Sequence, residues 1–355
     1  MSQSESTTDP RLSNHGDKTI VEAMRLIGLD KTAQASITKE APVEEKLASF
    51  EGAEKVFQSL MGITGGSGSN CVPDGLNSEV VLIKGVDGND IKLFIDAPSC
   101  DISEPRPCVL HCHGGGMCIL TAEAENYVKF RRQIAQQGVI VVGVDFRNAA
   151  GINGPYRFPA GLNDCMSALN WVHKQRHTRN ITKIITCGDS GGGNLACAVV
   201  LKAKKDNLLH QIDGVYAFCP YIYGLYGDDI PEREKLPSLT LNDGIFMNMV
   251  GAGGMASLYL PEGQSPQEHP LAWPYWASAA DVTGLPPHVI SVNELDPLRD
   301  EGIAYYRKLN AAGVQVRCLC LYGTPHASES AVFLKAGHYL TKPAVADVAN
   351  FAFSL

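Results

Sequence analysis

The sequence predicts an α/β protein with a mostly parallel central sheet, helices on both faces of the sheet, and a helical cap. Three observations predict it. Short, nearly continuous apolar segments alternate with stretches of helical period, and strands apolar on every side need cover on both faces. A glycine-rich bend, "GDSGGGN" at 188–194, sits between one such strand and one such helix. A connection of some sixty residues, from Ile222 to about Val282, interrupts the alternation, and a connection that long in a compact domain is usually functional.

Composition bounds the rest. The chain has 355 residues, 45% of them apolar and 19% charged, which suits one large globular domain or two small ones. Net charge is −8 and no run of Lys and Arg stands out, so no nucleic-acid partner is expected. No apolar run is long enough to cross a bilayer, which excludes stable membrane insertion by a helix. The first nineteen residues lack the apolar stretch of a secretory signal and the arginine-rich look of a transit peptide, so a cytoplasmic location is expected. The 11 cysteines are odd in number and most lie inside apolar strands, where a free thiol behaves as a small hydrophobe.

Taken in order, residues 1–17 are expected to form a disordered tail. From Ile20 to Leu60, Val43, Leu47, Phe50, Val56, Phe57 and Leu60 recur at three- to four-residue steps, a helical period. "GITGGSGSN" (62–70) is a glycine-serine loop, and 18–70 is assigned to the cap as its N-terminal helical part. "EVVLIKG" and "IKLFIDAP" flank "VDGND", which signals a hairpin. Six strands follow: "CVLHCHG", "VIVVGVDF", "KIITCGD", "GVYAFCPYI", "HVISVNELD" and "VQVRCLCLYG". Helices are expected near 123–137, 159–176, 192–206 and 299–312. The core is thus 71–220 with 283–355, and 221–282 is the cap insertion and pocket segment, expected to form a lid with the N-terminal helices.

The bend answers to G-x-S-x-G. A strand-to-helix hairpin bend forces its central residue, Ser190, into a strained conformation with the side chain above the sheet. Gly188 and Gly192 remove the side chains that would collide across the bend, and Gly191 lets its amide approach a substrate oxygen. A P-loop would need Lys after the glycines, where Asn194 stands, and a linker would not have apolar flanks on both sides.

A serine needs a base and a group to orient that base. In this architecture the order is serine, acid, histidine, each after a strand. Asp296 ends "VISVNELD", and His326 follows "CLCLYGTP". The rivals are weaker. Glu294 belongs to the strand end, Asp300 complements the dipole of the next helix, and His338 lies on or at the end of a helix. A developing oxyanion needs donors, and "HGGG" at 113–116 supplies them. The amides of Gly115, Gly116 and Gly191 would form the hole, with His113 bracing the loop. Cys108, His111, Cys112, His113 and Cys118 crowd together, but zinc ligands more often come as spaced pairs with a second pair downstream. No second pair is present, and no metal is expected.

These blocks, "HGGG", "GDSGGGN", "DPLRDEG" (296–302) and "PHAS" (325–328), together resemble the hormone-sensitive-lipase-like branch of the α/β-hydrolases, over roughly residues 80–350. "VDFRNA", "DGVYA", "AWPY" and "VNELDPLRDEGIA" are similar to the brefeldin A esterase type within that branch. The resemblance implies an α/β-hydrolase fold with carboxylesterase activity and a cap made of N-terminal helices plus an insertion after the sixth strand. It leaves a homodimer open. Gly191 departs from the more usual alanine, "DFRNA" from D-Y-R-L-A, and Ala327 from the usual Gly or bulky residue after the histidine.

The expected function is a serine carboxylesterase acting on small or medium hydrophobic esters, lactones or specialised metabolites included, with no cofactor. Trp273, Tyr275, Tyr221 and Tyr226 are candidate pocket walls, against the alternative that they pack the cap onto the core. Asp189 is a further candidate for substrate contact or for a bond within the elbow, and Asn194 is expected to cap or pack. Two other readings stay open: a non-catalytic small-molecule receptor of the same fold, and a deacetylase or amidase dedicated to one metabolite.

Overall fold

A computed structural model describes residues 8–34, 37–65, 72–99, 104–227, 231, 233–330 and 338–355. Among these residues eight strands form one sheet: β1 Leu76–Lys84, β2 Asp90–Pro98, β3 Arg106–Cys112, β4 Ile140–Asp145, β5 Ile181–Asp189, β6 Gly214–Phe218, β7 His288–Asn293 and β8 Val316–Leu321. Their spatial order is β1-β2-β4-β3-β5-β6-β7-β8. β2 runs antiparallel to both its neighbours, and every other pairing is parallel. β6 and β7 are buried at every position, as unbroken apolar runs require, whereas β8 at the edge alternates between exposed and partly buried residues.

Among the described residues, eleven α-helices accompany the sheet: α1 Pro10–His15, α2 Lys18–Leu26, α3 Val43–Gly65, α4 Glu125–Ala135, α5 Ala160–Lys174, α6 Gly191–Lys205, α7 Ser238–Leu241, α8 Met249–Tyr259, α9 Ala279–Val282, α10 Arg299–Ala311 and α11 His338–Ser354. α4 and α11 pack together against the sheet, and α5 and α6 form a separate packed pair on it. α10 lies on β7 and β8 and meets α6 through α9.

Two local expectations are corrected. The polar tail expected over 1–17 is helical from Pro10: Asp9 caps α1 by accepting from the Arg11 amide at 2.8 Å, and Leu12 is buried in the core. One apolar residue in a polar stretch carries no period, yet tertiary packing covers it; residues 1–7 lie outside the described residues. The helical stretch over 20–60 holds two helices, α2 ending at Leu26 and α3 beginning at Val43. α3 runs on to Gly65, four residues into the expected glycine-serine loop, whose remainder, 66–70, lies outside the described residues.

The N-terminal segment and the long connection meet through α3 and α8. Together they stand over the C-terminal ends of β5, β7 and β8, the edge at which open parallel sheets place their ligands.

Candidate active site

The sharp bend lies between β5 and α6. Ser190 has φ 55° and ψ −117°, a conformation an L-residue holds only when its surroundings impose it. The surroundings are glycine. A Cβ on Gly188 would stand 2.4 Å from the Gly192 carbonyl oxygen, and one on Gly192 2.1 Å from that of Cys112. The bend is therefore pressed against itself and against the end of β3, as its glycine spacing predicts. The Ser190 amide donates to Phe218 O at 3.0 Å, and its carbonyl accepts from the Asn194 and Tyr221 amides, which fixes the turn.

Asp296 and His326 come from the loops after β7 and β8. His326 Nδ1 lies 2.7 Å from Asp296 Oδ2, both side chains buried, and Asp296 Oδ1 accepts from the Leu298 amide. The rivals point elsewhere: Glu294 accepts from the Gly323 amide, Asp300 binds the Ser238 amide and Arg299, and His338 is exposed. Burial opposes charge on the His326 ring, but the Asp296 carboxylate, helped by Asp189 and Glu329, outweighs it and raises the pKa above the ordinary 6.5. Ser190 and His326 line one cavity of about 300 Å³.

Gly115 and Gly116 line the same cavity with φ of 101° and 61°. Among the described residues, the amides of Gly115, Gly116 and Gly191 have no protein acceptor. Three unpaired donors beside a serine can receive a developing negative charge. A Cβ at Gly191 would sit 2.6 Å from the amide nitrogens of Gly116 and Met117, so the departure from alanine coincides with a close approach of the two loops.

Of the pocket candidates, Tyr221 and Asp189 line the cavity. Asp189 does so as part of a buried network: its Oδ2 accepts from the Tyr127 hydroxyl at 3.1 Å, the Tyr127 oxygen accepts from the Gly114 amide at 2.8 Å, and burial pushes Asp189 up to about 6. Trp273 and Tyr275 do not line it. Trp273 is fully buried edge-on to Tyr221 and Tyr259, and Tyr275 packs on Tyr223 and Trp276. Tyr226 faces a different cavity, between Lys46 and Leu260. Trp273 and Tyr275 thus pack away from the Ser190 cavity, and Tyr226 stacks on Tyr221 behind it. Asn194 packs, donating to Tyr221 O and Ala272 O.

The His and Cys residues around β3 do not converge. His113 stacks on Phe146 at 4.1 Å with Nδ1 against Gly114 O, and burial pushes it down to about 3. His111 packs on Tyr127 and Phe130, while Cys112 meets Cys165 at 3.7 Å. Three residues of the site carried no sequence signal: Tyr127, Glu54 and Cys219. Glu54, on α3, accepts from the Leu120 amide at 2.6 Å and the Ile152 amide at 2.8 Å, which ties the N-terminal helix to the loop of Gly115 and Gly116.

The family profile described as alpha/beta hydrolase fold matches residues 109–330, well over half the chain. This chain belongs to the α/β-hydrolase fold family. Within that family it is similar to Lipase 2 of Moraxella sp. (strain TA144), 31% identical over 270 residues, 69% of this chain and 60% of that lipase. The match thus spans less than two thirds of that relative's length. The gibberellin receptor GID1B of Arabidopsis thaliana is 29% identical over 226 residues, 62% of this chain and 59% of the receptor. Among solved α/β-hydrolase structures, brefeldin A esterase, titled a bacterial homologue of human hormone sensitive lipase, superposes with a TM-score of 0.89 at 38% identity, covering 98% of this chain and 96% of that one. No helix of the described residues is long and apolar enough to cross a membrane.

Proposed function

We propose that this α/β-hydrolase is a serine carboxylesterase that cleaves carboxylic esters of small or medium hydrophobic molecules, lactones included, through an acyl-enzyme on Ser190. One observation carries the reading: Ser190, Gly115, Gly116 and the His326 ring, which is held by buried Asp296, line one cavity. His326 Nε2 takes the Ser190 proton as Oγ attacks the ester carbonyl, while Asp296 holds the ring through Nδ1. The Gly115, Gly116 and Gly191 amides receive the oxyanion. The alkoxide leaves with the proton from His326, and water, deprotonated by the same ring, cleaves the acyl-enzyme.

Substrate size follows from the walls. Phe50 and Phe57 come from α3, Phe246 and Met255 from the long connection, and Ile119 and Leu120 from the glycine loop. Such an apolar cleft suits a hydrophobic acyl or alcohol group. We read residues 18–70 and 221–282 as a cap over the 71–220 and 283–355 core. Nine free cysteines among the described residues, seven of them buried, support a reducing, cytoplasmic setting. The homodimer stays a proposal for light scattering to test.

The receptor reading has one specific support, the similarity to a gibberellin receptor. The buried His326–Asp296 pair in the cavity that Ser190 also lines supports hydrolysis over binding alone. Purified protein is incubated with p-nitrophenyl acetate, butyrate and octanoate, with Ser190→Ala as control. Turnover that vanishes in the variant is expected. No turnover on any ester, and no labelling of Ser190 by a fluorophosphonate, would move the assignment to the receptor.

A further inference from the structure

We infer that Cys219 and His326 form an inhibitory site for a thiophilic divalent cation such as Zn²⁺ or Cd²⁺, entered through the substrate cavity. Cys219 follows β6 with φ 35° and is fully buried. Its Sγ lies 4.0 Å from His326 Nε2, the ring nitrogen that faces away from Asp296. Among the described residues, donor atoms of Cys219, Asp296 and His326 lie within 4.8 Å of one another.

Three physical points favour a metal. The first is distance. Zinc bonds sulfur at about 2.3 Å and imidazole nitrogen at about 2.0–2.1 Å, so a tetrahedral ion needs the two donors about 3.5 Å apart. A shift of about half an ångström from the observed spacing supplies that. The second is support behind the ligand. A metal-binding histidine almost always donates its other N–H to a carboxylate or carbonyl, and Asp296 already stands at Nδ1. The third is charge. The Asp296, Glu329 and Asp189 carboxylates near Cys219 favour a cation there. On binding, the S–H bond breaks, its proton leaves to solvent, and metal–sulfur and metal–Nε2 bonds form. His326 lines the substrate cavity, which supplies water to the remaining coordination positions.

The consequence for activity rests on the proposed role of His326. A metal on Nε2 occupies the lone pair that would accept the Ser190 proton, so the loaded protein is inactive until the ion is removed. The site is unrelated to the Cys–His cluster of β3 and needs no resident cofactor.

The test has two arms on the full chain. In the first, Cd²⁺ is titrated into Ser190→Ala protein and the thiolate-to-cadmium charge-transfer absorbance is followed; no turnover is needed. In the second, Zn²⁺ is titrated against p-nitrophenyl butyrate hydrolysis, then removed with EDTA. We expect a saturable band and reversible inhibition, both weakened about tenfold or more by Cys219→Ala and unchanged by Cys320→Ala at the exposed thiol. If Cys219→Ala fails to fold, Cys219→Ser keeps the volume and removes the soft ligand. Inhibition that persists unchanged in the Cys219 variants, or no band in the first arm, overturns the site. A Cys219-dependent band in a protein that hydrolyses no ester upholds the site and refutes the hydrolase reading instead.

Discussion

Replacing Glu54 by glutamine tests whether α3 holds the loop that carries Gly115 and Gly116. Glu54 is 3% exposed, and its two oxygens each accept one amide, from Leu120 and Ile152. Glutamine keeps one acceptor and turns an NH₂ group toward the other amide, so one charge-assisted bond is lost. Such a bond contributes about 1.5–3 kcal/mol, and the variant is expected to be less stable by about 2 kcal/mol. The effect on catalysis comes from the loop. Met117 and Leu120 hold φ of 58° and 72°, conformations that strain a non-glycine residue by about 1–3 kcal/mol each and persist only when held. Freed at Leu120, the loop relaxes and the two glycine amides move. A displacement near 1 Å lowers kcat by about 10²-fold, and a smaller one by about tenfold. KM should change little, because these donors act on the transition state. The assay is thermal unfolding together with p-nitrophenyl butyrate kinetics. A lower Tm with unchanged kcat would make Glu54 a purely structural residue; no change in either would refute the reasoning altogether.

Gly191→Ala, the substitution that restores the usual alanine, places a Cβ 2.6 Å from the Gly116 and Met117 nitrogens. It should lower kcat by about tenfold or more with an unchanged circular dichroism spectrum, and a wild-type kcat would show that the loop yields freely. His326 must be neutral to act as base, and its carboxylate neighbours raise its pKa, so kcat/KM should rise with pH through a midpoint above 6.5. Asp296→Asn should move that midpoint down and cut kcat by about 10⁴-fold; a limb that stays in place would remove Asp296 from the pair. Buried Glu301 is pushed up to about 8 from the ordinary 4.5, chiefly by burial, despite accepting from Ile222, Tyr223 and Tyr226 at Oε1. The folded state thus binds this proton more tightly than the unfolded one, and stability should fall as pH rises from about 4.5 to about 8. Glu301→Gln should flatten that slope in denaturant titrations across pH, and an unchanged slope would place the titration elsewhere.

What was legible in the sequence was local chemistry. The apolar runs of β3 to β8 and the helical period of α4, α5, α6 and α10 depend on neighbours a few residues away, and all were read correctly in type and place. The bend at Ser190 was legible because Gly188 and Gly192 have no other reason to flank it so closely. The Ser190, Asp296, His326 order followed from strand ends, and the structure joins Asp296 to His326 while setting Ser190 in the same cavity. Leu12 shows the limit: a lone apolar residue in a polar stretch has no period, and its burial in the core adds to the Asp9 cap in holding α1.

Tertiary structure decided which side chains face the cavity. Tyr221 and Trp273 look alike in sequence, aromatic residues next to proline; packing turns the first into the cavity wall and the second into core. The contacts that hold and surround the candidate site join residues far apart: 62 positions from Tyr127 to Asp189, 66 from Glu54 to Leu120, and 107 from Cys219 to His326. Residue type and spacing determine turns, periods and motifs because those interactions close within a few bonds of chain. Which buried group meets which is settled only when distant elements pack against one another, since the energy of a buried hydrogen bond or a filled wall belongs to the pair and to neither residue alone.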